Sequence, residues 1–351
     1  MTVAVDEDEI ERHARNEIIS PSASSSSTFS HPVNEEEERR IYLVTDGIKS
    51  RQTKKTYLSL FKDFLRTIGS SDLKTLLDFK PSVIESKIIS HIEHLKERKL
   101  SYSSIQVSCA AILHFFDIND VNLNTRKVKR FFPEDESDRY STDRPYSMDE
   151  IKQILDKCDI RSKLIILLME STGMRIGALH IDEEGRPGIR IGDLKKIDEF
   201  GLYMIWVYSW SKSDRYYTFC TPECAAAIDA YLDYRRKFGE ELNDKSPLIR
   251  EQFNIDNPFT ANAPRFLSSR MMTHIFDDVL KRSGVNQLKP GQKRRDVMTS
   301  HGFRKFFITE CDKANISYTV REFLSGHKLP NLDPRYNHRF RNEEDMLFGV
   351  C

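Results

Sequence analysis

No stretch of this chain approaches the roughly 18 consecutive apolar residues that a membrane-spanning helix needs. The acidic N-terminus also lacks the basic-then-apolar pattern of a signal peptide, so a soluble, cytoplasmic protein with no membrane partner is expected. Cysteine is sparse and unpaired. The 6 cysteines, Cys109, Cys158, Cys220, Cys224, Cys311 and Cys351, show neither a secreted disulfide framework nor the doubled spacing of a zinc site. Cys220 and Cys224 stand close together, but no nearby histidine or second cysteine pair completes a metal site. They read as small buried hydrophobes. Net charge is missing too: 54 Lys and Arg balance 54 Asp and Glu, which on its face argues against a nucleic-acid partner.

That zero is an average over unlike regions. Residues 1–40 hold ten acids, Asp6, Glu7, Asp8, Glu9, Glu11, Glu17 and Glu35 to Glu38, against four arginines, a net of −6 that leaves +6 on the remainder. Within 41–133 there are 16 Lys and Arg against 9 Asp and Glu. Such a surplus fits a phosphate-binding face, because neutralised phosphates supply the sequence-independent part of DNA affinity. It fits an ordinary solvated surface equally well.

At 351 residues the chain is long enough for two cores. Residues 1–40, with their acidic blocks and the serine run Ser22 to Ser27, bury too little apolar surface to order and read as a disordered tail. From 41 to 133 the apolar spacing is helical. One stripe runs through Tyr57, Leu60, Phe61, Phe64, Leu65 and Ile68, a second through Ile84, Ile88, Ile92 and Leu95, and a third through Ile105, Cys109, Ile112, Leu113 and Phe116. A short basic helix at Thr125–Phe131 follows, then a polar linker, 134–146. A second domain, 147–340, opens on the capping box Ser147-Met-Asp-Glu150. A helix over Lys163–Glu170 is broken by Gly173, and period-two segments at Gly188–Leu194, Leu202–Tyr208 and Tyr216–Phe219 predict a small antiparallel sheet. Thr221 and Pro222 start another helix, and everything after Ser268 reads as helical, with 341–351 as a tail. The fold class is mostly α, in two domains: an all-helical bundle, then an α+β domain with one small sheet.

Three segments carry chemistry together: Ser171-Thr-Gly-Met-Arg-Ile-Gly-Ala-Leu179, His301-Gly-Phe-Arg304, and Leu324-Ser-Gly-His327 with Tyr336 nine residues on. Their order and spacing resemble the tyrosine site-specific recombinase (phage integrase) family, from 41 to about 340 and most strongly after Met148. The resemblance implies a helical core-binding (SAM-like) domain before the catalytic domain, the two clamping duplex DNA. It implies an enzyme that cuts and rejoins DNA through a 3′-phosphotyrosyl bond, with four protomers on two sites. Arg175 and Arg304 would hold the scissile phosphate, His301 would hydrogen-bond it or take the tyrosine proton, and Lys212 would protonate the leaving 5′ oxygen. His327 would support the phosphate and Tyr336 would be the nucleophile. No metal or cofactor is implied.

The residue types suit that work. Breaking a phosphodiester without a metal needs positive donors on the non-bridging oxygens, and the arginine fork supplies two while staying charged. A covalent phosphotyrosine keeps the bond energy, so ATP is not needed. Each residue has a bland rival: a helix-end cation for Arg175, a helix start for His301, a surface cation for Arg304, a cap for His327, a half-buried face for Tyr336, and a solvated hairpin tip for Lys212, where Arg215 is an alternative acid. Their conjunction in order favours function. Two positions depart from the family pattern: Ala178 stands where an acid often follows the first arginine, and Ser325 replaces the second leucine of the common Leu-Leu-Gly-His. Met346, Leu347, Phe348 and Val350 offer an apolar terminus for a neighbouring protomer or for the parent domain. The alternatives are a type IB topoisomerase-like enzyme that reseals without exchange, and a cleavage-deficient relative that only holds DNA.

Overall fold

The computed structural model describes residues 44–70, 73–134, 143–254, 257–292 and 294–328, so the expected N-terminal tail, most of the linker, Tyr336 and the C-terminal tail lie outside the described residues. The chain divides into two compact units, Met1–Glu134 and Asp135–Cys351.

In the first unit the three expected stripes become the buried faces of α1 (Arg51–Thr67), α3 (Pro81–Glu97) and α4 (Tyr102–Ile118). Each start is explained locally. Ser50 and Ser101 accept backbone N–H bonds as N-caps, and Pro81 opens α3 where a missing N–H costs nothing. Phe61, Phe64, Ile84, Ile88, Ile92, Ile105, Ile112, Phe115 and Phe116 form the core, each worth about 1.5–3 kcal/mol when fully removed from water. Leu65, Ile68 and Leu113 only flank it. A six-residue helix, α2 (Leu73–Asp78), was not expected; too short to show a period, it adds Leu73 and Leu76 to the core. The basic helix is α5 (Thr125–Lys129), two residues shorter than expected. Its start is tied to α3 by the buried Glu85 carboxylate, which accepts from the Asn124 N–H and the Lys127 ammonium, both at 2.8 Å.

The second unit is built around α7 (Ile160–Thr172), which follows the capped α6 (Met148–Leu155). Leu164 to Met169 are all buried, the pattern of a helix surrounded by protein rather than lying on a surface. It packs against α8 (Pro222–Lys237), α10 (Ser269–Ser283) and α11 (His301–Lys313). A short helix, α9 (Pro258–Ala261), precedes α10, and α12 (Tyr318–Leu324) comes last. The sheet is antiparallel in the order β1-β2-β3: β1 (Leu194–Ile197), β2 (Leu202–Val207) and β3 (Tyr216–Phe219).

The first expected strand is displaced. Residues 188–193 pair with a loop instead: Ile191 N–H reaches the Ser246 carbonyl, Gly192 N–H reaches the Asp244 carbonyl, and a 3-10 turn over Ile191–Asp193 delivers the chain into β1. Gly192 lies so close to Asp244 that a Cβ would stand 2.8 Å from its Cβ and 2.9 Å from its carbonyl oxygen, an approach open only to glycine. The described residues of 284–300, expected to be helical, hold no helix; Gly284 ends α10 in the left-handed conformation. No described helix is long and apolar enough to cross a membrane.

Candidate active site

Two glycine turns hold the two motif arginines. α7 ends at Gly173, whose φ of +59° is strained for any other residue. Its carbonyl accepts the Arg304 Nη1–H at 2.5 Å. α12 ends similarly: Gly326, at φ +69°, sends its N–H to the Phe323 carbonyl while the His327 N–H reaches back to Glu322, a Schellman ending. The Gly326 carbonyl accepts the Arg175 Nη1–H at 3.0 Å. Arg175 is exposed and Arg304 is 4% exposed, so one stands at the mouth of the cluster and the other at its floor. Neither forms an ion pair with a carboxylate among the described residues. Burial, then the neighbouring Arg175 charge, hold the Arg304 guanidinium below its ordinary value.

His301 stands one turn before Arg304 on the same face of α11. The intervening Gly302 is forced by packing, because a Cβ there would meet Val297 at 2.2 Å and the Tyr146 ring at 2.7 Å. Partial burial, then the charges of Arg304 and Arg175, push the His301 imidazole down, against a weaker pull from Asp143. It is therefore neutral at neutral pH and able to accept a proton. His327 gives Nδ1 to the Glu322 carboxylate at 2.6 Å, which leaves Nε2 as its outward nitrogen.

Lys212 lies on the β2–β3 turn, where Ser211 and Ser213 both donate to Asp214. It is exposed, and its ammonium has no partner among the described residues. Arg215, the alternative acid, is engaged elsewhere, with its guanidinium over the Trp206 ring at 5.5 Å. Lys328 pairs with Asp214 at 3.0 Å, tying the turn to the segment after His327. The described residues thus bring Arg175, Arg304 and His301 together, with His327 on the turn that holds Arg175. Tyr336 lies outside them, and the contact of Lys212 with the cluster is not made.

Three residues of the cluster had no sequence signal. Glu322 bonds His327 and pulls on Arg304; Tyr208 and Tyr216 bring their phenols beside both arginines. Glu322 supplies a carboxylate that acts on Arg304 where the acid at Ala178 is missing, although it arrives from a different helix. Cys220 and Cys224 are free and buried, with Cys220 Sγ accepting the Tyr203 N–H at 3.3 Å, and no described group of His, Cys, Asp and Glu is placed to hold a metal ion. A separate apolar cavity of about 440 Å³, lined by Glu170, Phe219, Phe306, Phe307 and Leu324 among others, includes none of the cluster's arginines or histidines.

No protein-family model and no curated protein sequence matches the chain. Solved structures do resemble it. A lambda integrase tetramer bound to a Holliday junction is 18% identical with a TM-score of 0.54, over 87% of this chain and 78% of that one. The XerH site-specific recombinase bound to its difH substrate is 16% identical, TM-score 0.51, over 81% and 76%. The Tn1549 transposon integrase with circular intermediate DNA is 15% identical, TM-score 0.55, over 83% and 92%. At these identities the likeness is one of fold: the chain has the fold of the tyrosine recombinases and integrases.

Proposed function

We propose that this protein is a tyrosine recombinase, which cuts and rejoins duplex DNA by a phosphotyrosyl bond to Tyr336 and works as four protomers on two sites. The carrying observation is the arginine pair. Two guanidiniums stand close enough that the Arg175 charge adds to burial in depressing Arg304, they are held by the carbonyls of Gly173 and Gly326, and among the described residues neither forms an ion pair with a carboxylate. Like charges gathered in this way are costly unless an anion joins them. The fold, shared with an integrase bound to a Holliday junction, makes the DNA phosphate the natural anion.

In this reading Arg175 and Arg304 grip the non-bridging oxygens. The Tyr336 oxygen attacks phosphorus and its proton passes to neutral His301, while the bond from phosphorus to the 5′ oxygen breaks and Lys212 protonates that oxygen. The resulting 3′-phosphotyrosyl ester is later attacked by a 5′ hydroxyl, which reverses the step on a new partner strand.

The test is a pool of randomised duplexes carrying nicks, incubated with the full chain and then denatured. The wild-type protein should retain DNA covalently, with the adduct mapped by mass spectrometry to Tyr336, and Tyr336→Phe should retain none while still binding duplex. An adduct that survives in Tyr336→Phe, or maps to another residue, would overturn the assignment.

A further inference from the structure

Two polar atoms at the floor of the arginine cluster have no partner. Arg304 is 4% exposed and Tyr216 is 6% exposed. Arg304 Nη2 and the Tyr216 hydroxyl are both shielded from water and have no partner of ordinary hydrogen-bond geometry; the Arg304 guanidinium comes only within weak hydrogen-bonding reach of the phenol oxygen, which leaves the phenol O–H with no acceptor. Buried donors are seldom left in this state. These two are neighbours, since the Arg304 charge acts on the Tyr216 phenol and the phenol acts on Arg304.

The chemistry of the pair says what would complete it. A guanidinium has only donors, and a phenol, whose oxygen can accept weakly from Arg304, still has one O–H to give. An oxygen placed between them would satisfy both at once, and the combined field of Arg304 and Arg175 selects an anionic one. Packing does not explain the hydroxyl. Tyr216 is the first residue of β3, opposite Val207, and its ring lies so close under Gly326 that a Cβ there would stand 2.3 Å from it. A phenylalanine would fill that space without burying an unpaired O–H.

We propose that Tyr216 is a further catalytic residue, whose hydroxyl donates a hydrogen bond to the same non-bridging oxygen of the scissile phosphate that Arg304 Nη2 holds. Naming that oxygen rests on the recombinase reading above; the anion site itself rests only on the two unpaired donors. Burial keeps the phenol protonated, hence a donor. Arg175, exposed and tied by one bond to the Gly326 carbonyl, would exchange that bond for a phosphate oxygen as the anion enters.

The test is Tyr216→Phe in the full chain. Because the phenol O–H has no acceptor, the variant should melt at or above the wild-type temperature. On a nicked duplex recovered from the adduct pool, single-turnover cleavage should slow about 10–100-fold, at or below the loss seen when one oxyanion donor is removed. The same duplex is then made with each methylphosphonate diastereomer at the scissile position. With one diastereomer the two proteins should cleave within about twofold, since the oxygen in question is gone; with the other the gap should persist. A merely structural tyrosine would shift all three substrates alike, and that result overturns the proposal. Inorganic phosphate alone, titrated calorimetrically, gives a readout free of DNA. Tyr216→Phe should bind it at least about tenfold more weakly, the loss of one hydrogen bond to a charged group. If phosphate binding weakens but wild-type protein forms no DNA adduct, the anion site stands and the recombinase reading falls. Unchanged phosphate binding overturns the site.

Discussion

Replacing Gly173 by alanine should damage both stability and the site, and the two components can be separated. A non-glycine residue at φ +59° costs about 1–2 kcal/mol for left-handed backbone. The new methyl would stand 2.3 Å from Phe307 Cδ1 and 2.8 Å from its Cγ, where carbon contacts belong near 3.5–4.0 Å, so the ring must move by more than an ångström. Overpacking of this kind adds about 1–3 kcal/mol. The total, ~2–5 kcal/mol, corresponds to a fall in melting temperature of roughly 4–20 °C for a unit of this size. Both tryptophans, Trp206 and Trp210, lie in the second unit, so fluorescence follows its melting directly. Gly185→Ala is the control, because φ there is +78° but nothing lies within 4 Å of the new methyl. It should show only the backbone cost. Since the Gly173 carbonyl holds Arg304, adduct formation by Gly173→Ala should fall about 100-fold even at temperatures where the protein stays folded, the scale expected for an ångström of misplacement. Melting temperatures for the two variants within about 2 °C of each other would refute the Phe307 contact, and undiminished adduct formation would refute the role given to the Gly173 turn.

Two further outcomes follow from individual side chains. His91 is fully buried against Phe64, with Nε2 3.3 Å from the Ser108 hydroxyl, and burial brings its imidazole down to about 4. Its folded value lies below its unfolded one, so the neutral form's contribution is complete above about pH 6.5 and is lost as pH falls toward 4, up to ~3 kcal/mol in total. Amide exchange in α3 and α4, corrected for intrinsic rate, should reveal the loss between pH 7 and 5. It should be absent in His91→Gln, and a flat wild-type profile would refute it. For Lys212→Ala, sulfur in place of the scissile 5′ oxygen should largely restore cleavage, because a thiolate leaves without a proton, whereas Arg175→Ala and Arg304→Ala should not be restored. Rescue of all three alike would remove Lys212 as the acid.

Much of this molecule was legible along the chain because its signals are local. The stripe of Ile84, Ile88, Ile92 and Leu95, the Ser147–Glu150 box and the Thr221-Pro222 start each act within a few residues, so α3, α6 and α8 could be read directly. The three motif segments could also be picked out, by their order and spacing. Weak or ambiguous periodicity marked the failures: α2 is too short to show a period, and 188–193 alternates like a strand while its partner is a loop more than fifty residues away.

What only the tertiary structure decided is who stands beside whom. Glu322 and Tyr216 belong to no motif; they reach the arginines because α12 and β3 pack together and place the Gly326 turn over the Tyr216 ring. The motif glycines show the same division. Their presence was plain in the sequence, but the reason for each is an atom brought from elsewhere in the chain: Phe307 against Gly173, Val297 and Tyr146 against Gly302, and Tyr216 against Gly326. Local backbone preference is written in neighbouring residues, whereas a site assembled from four distant segments exists only once long-range packing has closed around it.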